Sequence, residues 1–235
     1  MNFIVLFLFF ISGPFLLSGE KTILRTTDGC EISAHINIKD KTYPTLFEVH
    51  GLGSSKEEWD KFNNRLEKEK LNYVSLDLRG HGESKKCGDR TIKDYKELTK
   101  TDLINFLKDI DAVYKSISQK IPAKNIIPIG ASIGANAVME YFYKKSLKIV
   151  LMSSGINYGG FEPAELFKKT KAKILFTVSE TDVYSFNSTR VFVQICEKSK
   201  KKYKLILSQN GHGVRIFDNE NGDEYIKEII DWIKN

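Results

Sequence analysis

The sequence predicts an α/β domain in which helices cover both faces of a mostly parallel sheet. Two observations carry that prediction. Short apolar runs of strand length alternate along the chain with longer stretches of helical periodicity. At residues 126–137 one such run meets Gly130-Ala131-Ser132-Ile133-Gly134 and passes straight into a helical pattern. That is the layout of a sharp strand-to-helix turn with an exposed serine at its apex. The 235 residues, 41% of them hydrophobic, suit one domain with a substantial core and leave no room for a second complete one.

Taken in order, residues 22–27 and 31–38 are rich in Thr and Ile with period-two patterning, and Asp28-Gly29 turns one into the other as a hairpin. Residues 45–49 make a short strand that ends in His50-Gly51-Leu52-Gly53-Ser54-Ser55, and 59–70 reads as a helix. Strand 72–77 runs into Leu78-Arg79-Gly80-His81-Gly82-Glu83-Ser84, and 85–90 is a polar loop. Leu98, Leu103, Phe106, Leu107, Ile110, Val113 and Tyr114 recur toward one side of a long amphipathic helix over 95–117. Strand 126–129 and helix 133–143 follow. Strands 148–152 and 173–178 come next, then a helix within 183–199, a last strand over 203–207 and a closing helix over 223–233.

Residues 1–19 carry no charged side chain and are dominated by Phe, Leu and Ile. The apolar run over 3–11 is short for a membrane span, so this segment reads as a secretory signal, with a short uncleaved anchor as the alternative. Residues 20–235 then form the domain, exported to a periplasmic or extracellular compartment, and membrane contact is expected only through the amino-terminal segment. The net charge of +6 comes mostly from lysine. Two clusters, Lys168 to Lys173 and Lys198 to Lys204, read as solvated helix ends and loops. They lack interleaved aromatics and any nucleic-acid motif, so no nucleic-acid partner is expected. Cys30, Cys87 and Cys196 show no zinc spacing. Export would permit a disulfide, but ordinary buried thiols are the first reading.

In a parallel sheet the reactive loops collect beyond the carboxyl ends of the strands. The polar residues there are His50, Asp77, Ser132, Ser153, Ser154, Glu180, Asp182 and His212. A serine hydroxyl needs a base to take its proton, and that base needs a group to fix its tautomer. His212, flanked by Gly211 and Gly213 after the last strand, is the expected base. Asp182, in Ser179-Glu180-Thr181-Asp182, is the expected acid, with Glu180 as the alternative. Acyl transfer also needs donors where the oxyanion develops. The amide of Ile133 is one, and the other is that of Leu52, with Gly51 as the alternative. His50 is read as an organiser of its loop. No metal site and no organic cofactor are expected.

Together these features resemble the α/β-hydrolase superfamily over nearly all of residues 21–235. Gly130-Ala131-Ser132-Ile133-Gly134 resembles its nucleophile motif, and His50-Gly51-Leu52-Gly53 its oxyanion loop. Leu76-Asp77-Leu78-Arg79-Gly80-His81-Gly82-Glu83-Ser84 is similar to the family's Asp-x-Arg-Gly-x-Gly-x-Ser segment, in which Asp77 and Arg79 look structural. Asp182 and His212 match the acid and base in order and spacing. The resemblance implies a serine hydrolase acting on a small-molecule acyl ester or thioester, without a cofactor; a peptidase, amidase or lipase using the same three residues, or a non-catalytic binding protein on this fold, are the alternatives. Many members carry a helical cap after the sixth strand. Here residues 153–172 leave space for a loop and one short helix, implying a minimal cap in which Tyr158, Phe161, Leu166 and Phe167 either line a pocket or pack the loop onto the domain.

Overall fold

The computed structural model describes residues 19–235. The signal or anchor reading of the leader therefore falls on a segment that lies, apart from Gly19, outside the described residues. Eight strands form one sheet: β1 (Glu20–Arg25), β2 (Glu31–Asn37), β3 (Thr45–Val49), β4 (Asn72–Leu76), β5 (Ile126–Ala131), β6 (Lys148–Met152), β7 (Lys173–Ser179) and β8 (Tyr203–Ser208). Their spatial order is β1-β2-β4-β3-β5-β6-β7-β8. Strand β2 pairs antiparallel with β1 and β4, and every pair from β4 to β8 is parallel. Strands buried on both faces are predominantly apolar, and β3, β4 and β5 are buried at every position. The architecture is the α/β-hydrolase fold that the sequence predicts.

Helices α1 (Asp60–Leu66) and α7 (Gly222–Lys234) cover one face, where Phe62, Leu66, Ile226 and Ile229 meet Leu46, Ile129 and Leu175. The other face carries α2 (Lys100–Ile104), α3 (Phe106–Ser118), α4 (Ile133–Phe142), α5 (Ala164–Lys169) and α6 (Val183–Lys198). There Phe106, Val138, Phe167 and Phe192 pack with Phe47, Val49 and Phe176. Alternation along β3 sends Leu46 to the first layer and Phe47 to the second, as a strand period of two requires.

Four expectations need correction. The helix expected over 59–70 is a 3₁₀ turn at Lys56–Trp59 followed by a seven-residue α1, because the chain must reverse to enter β4 and does so with Lys70 at φ 55°. The helix expected from residue 95 starts at Lys100. Leu98 is extended (ψ 128°), and Thr99 and Asp102 form a reciprocal capping box that fixes a new start. The polar loop after Ser84 contains a two-residue ladder, Lys86–Cys87 against Arg90–Thr91. Finally, Cys30 and Cys87 are not free thiols but form a disulfide. Gly88 N–H donates to Gly29 O at 3.0 Å and Cys30 bridges Cys87, which sets the two cysteines opposite each other. Cys196 is a free, buried thiol.

A carboxyl group sits inside the sheet. Glu48, in mid-β3, is fully buried, accepts the Ser75 hydroxyl, and leaves Oε1 without a partner among the described residues. Burial raises its pKa to about 8, so the folded protein holds a neutral carboxylic acid there at neutral pH.

The buried acid and the disulfide each have a measurable effect on stability. The unfolded chain releases the Glu48 proton near pH 4.5 and the folded chain near 8. Stability should therefore fall as pH rises through that window, by roughly 1.4 kcal/mol per pH unit from this group. Urea unfolding at several pH values should show that slope, and Glu48→Gln should remove it. The double variant Cys30→Ser/Cys87→Ser should lose about 2–4 kcal/mol in the same assay, because it reopens a long loop in the unfolded chain.

Candidate active site

The site is built where β3, β5, β6, β7 and β8 end. Ser132 joins β5 to α4 at φ 55° and ψ −123°, a positive-φ position for a side chain that is not glycine. Its neighbours explain how the turn closes. A Cβ on Gly130 would run into the Gly134 carbonyl, and one on Gly134 into the Val49 and His50 carbonyls. Ser132 N–H donates to Met152 O at 2.9 Å, tying the turn to β6.

His212 Nδ1–H donates to Asp182 Oδ2 at 2.6 Å, which leaves Nε2 free. Asp182 stands at the N-cap of α6, yet its carboxylate turns to His212 instead of capping the helix. Glu180, the alternative acid, is exposed. Gly211 and Gly213 both have positive φ (102° and 58°), and Gly213 N–H donates to Ser153 Oγ at 2.9 Å, anchoring the histidine loop to the end of β6. Ser132 and His212 line one cavity of about 300 Å³, with Gly51, Leu52, Ser54, Glu58 and Arg215. No hydrogen bond joins Ser132 Oγ to His212 in this structure. Such bonds are often long before substrate binds and tighten in the reacting complex.

Of the two amides considered beside that of Ile133, the Gly51 N–H is engaged, donating to Glu58 Oε1 at 3.0 Å. The Leu52 and Ile133 amides have no acceptor among the described residues. Burial raises the pKa of the Glu58 carboxyl. His50 is wholly buried; its Nδ1–H donates to Gly51 O at 2.7 Å, and its Nε2 accepts from Leu78 N–H at 3.0 Å. Burial lowers its pKa to about 3, so it is a neutral brace between two loops.

Sequence reasoning missed several supports. His81 Nε2 accepts from Gly53 N–H at 3.0 Å, holding the loop that carries Leu52. Asn136, on the second turn of α4, donates to Gly155 O and Phe161 O and accepts from Ser154 Oγ, pinning the short connection after β6. The only signal for Asn136 was a polar residue on an apolar helix face. Phe161, Leu166 and Phe167 are buried and pack that connection onto the core. Tyr158 remains at the site, edge-on to His212 with ring centroids 6.4 Å apart, its hydroxyl 3.0 Å from Ser185 Oγ and neighbouring that of Ser132. Among the described residues no cluster of His, Cys, Asp or Glu is arranged to hold a metal ion.

Comparison with known proteins adds family membership. The model of the serine aminopeptidase S33 family matches residues 40–214, three quarters of the chain and the whole site. The chain belongs to that family. No individual curated protein matches it. Among solved structures, this S33-family chain is similar to an esterase of Pyrococcus furiosus (17% identity, TM-score 0.74, covering 92% of this chain and 90% of the other). An esterase of Rhodococcus sp. is similar at 15% identity and TM-score 0.69, with 92% and 98% covered. Dipeptidyl peptidase 4 of Porphyromonas gingivalis matches at 12% identity and TM-score 0.67, covering 92% of this chain but 35% of that one. At these identities the structures share the fold, within the α/β-hydrolase superfamily.

The elbow generates one stability test. Gly134→Ala should cost at least about 1–3 kcal/mol, because the new methyl meets backbone that cannot swing aside. Chemical denaturation checks the loss.

Proposed function

We propose that this S33-family chain hydrolyses carboxylic esters, with thioesters as the second substrate class, through an acyl-enzyme formed on Ser132. The observation that carries the reading is the His212–Asp182 hydrogen bond at the rim of a cavity that also holds Ser132. His212 Nε2 takes the Ser132 proton as Oγ attacks the carbonyl carbon. The Leu52 and Ile133 amides hold the oxyanion that forms, while Asp182 stabilises the imidazolium. His212 then passes the proton to the leaving alcohol or thiol, and the same base activates the water that releases the acid. No step calls on a metal or organic cofactor.

The similar Pyrococcus and Rhodococcus proteins are esterases, which supports an ester substrate. Membership of a serine aminopeptidase family supports a second reading, amide or peptide hydrolysis by the same residues. Residues 153–172 contribute only α5 and a tight Tyr158–Phe161 bridge, so the cavity is lightly covered. Export is part of the proposal, and the Cys30–Cys87 disulfide supports it, since such bonds persist in oxidising compartments.

Intact-mass analysis after treatment with a fluorophosphonate should show one adduct on the wild type and none on Ser132→Ala. Folded wild-type protein that takes no adduct would point to a binding protein on this fold. Asp182→Asn should keep the fold and lower kcat about 10³–10⁴-fold, because it removes the group that fixes the His212 tautomer. Paired ester and amide substrates of one acyl group separate the two readings.

A further inference from the structure

The parallel strands all end at the edge that carries Ser132, Asp182 and His212, and all start at the opposite edge. That second edge has a different chemistry. Lys124 precedes β5, Lys144 and Lys145 precede β6, Lys169 and Lys171 precede β7, and Lys202 precedes β8. These segments form one surface. Leu147 lies in a depression with Lys144, Lys145, Lys169 and Lys171, and also lines the next depression, with Pro44, Lys124 and Lys234. Backbone bonds from Lys173 N–H to Leu147 O (2.8 Å) and from Ile174 N–H to Lys202 O (3.0 Å) carry the surface on to β8.

Lys124, Lys144, Lys169, Lys171 and Lys202 are exposed, and none forms an ion pair among the described residues. Neighbouring cations that do pair include Lys168 with Glu165, Lys204 with Glu228 and Lys234 with Glu69. Leu147 stands 63% exposed in the middle of the unpaired lysines. Glu20 pairs with Ile36, and Val74 with Ile36 on the other side, so the chain enters β1 from this same edge.

We infer that the strand-start edge docks on a bilayer surface rich in anionic lipid. The lysines meet headgroup charge, Leu147 enters the interface, and the cavity of Ser132 faces away from the membrane. Flexible lysine stems around an apolar side chain suit a diffuse anionic surface. A nucleic-acid groove would instead call for arginine and stacking aromatics. The inference is independent of the proposed hydrolysis, and it extends membrane contact beyond the amino-terminal segment.

The test is partition of the full chain into vesicles of phosphatidylcholine alone and of phosphatidylcholine with about one-third phosphatidylserine. The ratio of the two cancels whatever the apolar leader contributes. It should be at least about tenfold for the wild type and fall toward one at high salt. It should also fall toward one in Lys144→Gln/Lys169→Gln/Lys171→Gln/Lys202→Gln, and partway in Lys144→Gln/Lys171→Gln, with the thermal midpoint of both variants unchanged. A wild-type ratio near one, or a ratio the quadruple variant keeps, overturns the inference. So does binding of a duplex oligonucleotide that the variant loses while its vesicle ratio stays at the wild-type value. The readout involves no turnover, so failure of the proposed hydrolysis is a separate result.

Discussion

The rest of the site depends on one contact in which no side chain takes part. Gly130 and Gly134 let the start of α4 lie against the ends of β5 and β3 at backbone distance. Only with that approach can Ser132 sit at the apex of the turn beside the Gly51–Leu52 loop. The turn holds Ser132 at positive φ, a strain of about 1–3 kcal/mol. Burial of α4 more than offsets it. Val138, Met139 and Phe142 of that helix are wholly buried, and each contributes roughly 1.5–3 kcal/mol by leaving water. The strain persists because the helix that causes it is also among the most buried elements of the domain.

Around the elbow, the loops at the strand ends are held by buried polar groups rather than by apolar packing. Asp77 accepts from the Lys56 amide at 2.7 Å, the Lys56 ammonium at 2.8 Å and the Glu83 amide at 2.9 Å. Arg79 is 2% exposed and pairs with Asp109 on one side and Asp28 on the other. Buried ion pairs of this kind add little net stability over an apolar replacement, but losing one partner leaves an uncompensated charge that costs about 3–5 kcal/mol. Their effect is to fix where the loops go. With His50 and His81 they set the path of residues 50–56 and 77–84, and so the place where the Leu52 amide points.

Much of this was legible in the sequence. Strands buried on both faces leave short, mostly apolar runs, which is why Thr45–Val49 and Lys148–Met152 could be read to the residue even with Glu48 inside the first. Nearby glycines at strand ends marked Ser132 and His212, because a tight turn restricts its residue types more strongly than a helix does, and Asp182 was marked by its place just after β7. Three features were not legible. The start of α2 is decided by the Thr99–Asp102 capping box, against an apolar periodicity that continues through it. The Cys30–Cys87 bond depends on a pairing between a hairpin turn and a loop 57 residues away, which no local pattern encodes. Asn136 and His81 act through partners distant in sequence, so their residue types alone said nothing about the loops they hold.

The disulfide and the site are more closely related than their separation in sequence suggests. Cys30 closes the β1–β2 turn onto the segment after Ser84, and Gly88 N–H donates to Gly29 O beside it. The same turn carries Asp28, whose carboxylate receives both terminal nitrogens of Arg79 at 2.8 and 3.1 Å. Arg79 O in turn is bonded to His81 Nδ1 at 3.0 Å, and His81 Nε2 holds Gly53. A contiguous set of bonds thus runs from the edge hairpin to the loop that presents the Leu52 amide. An edge hairpin is the part of a sheet most prone to fraying, since only one side of it is paired. Fastening it covalently removes that freedom where the last carboxylate of the network is attached. The structural reason for a disulfide in a domain with an ample apolar core is therefore local: it anchors Asp28, and through Arg79 and His81 it braces the loop that carries the Leu52 amide.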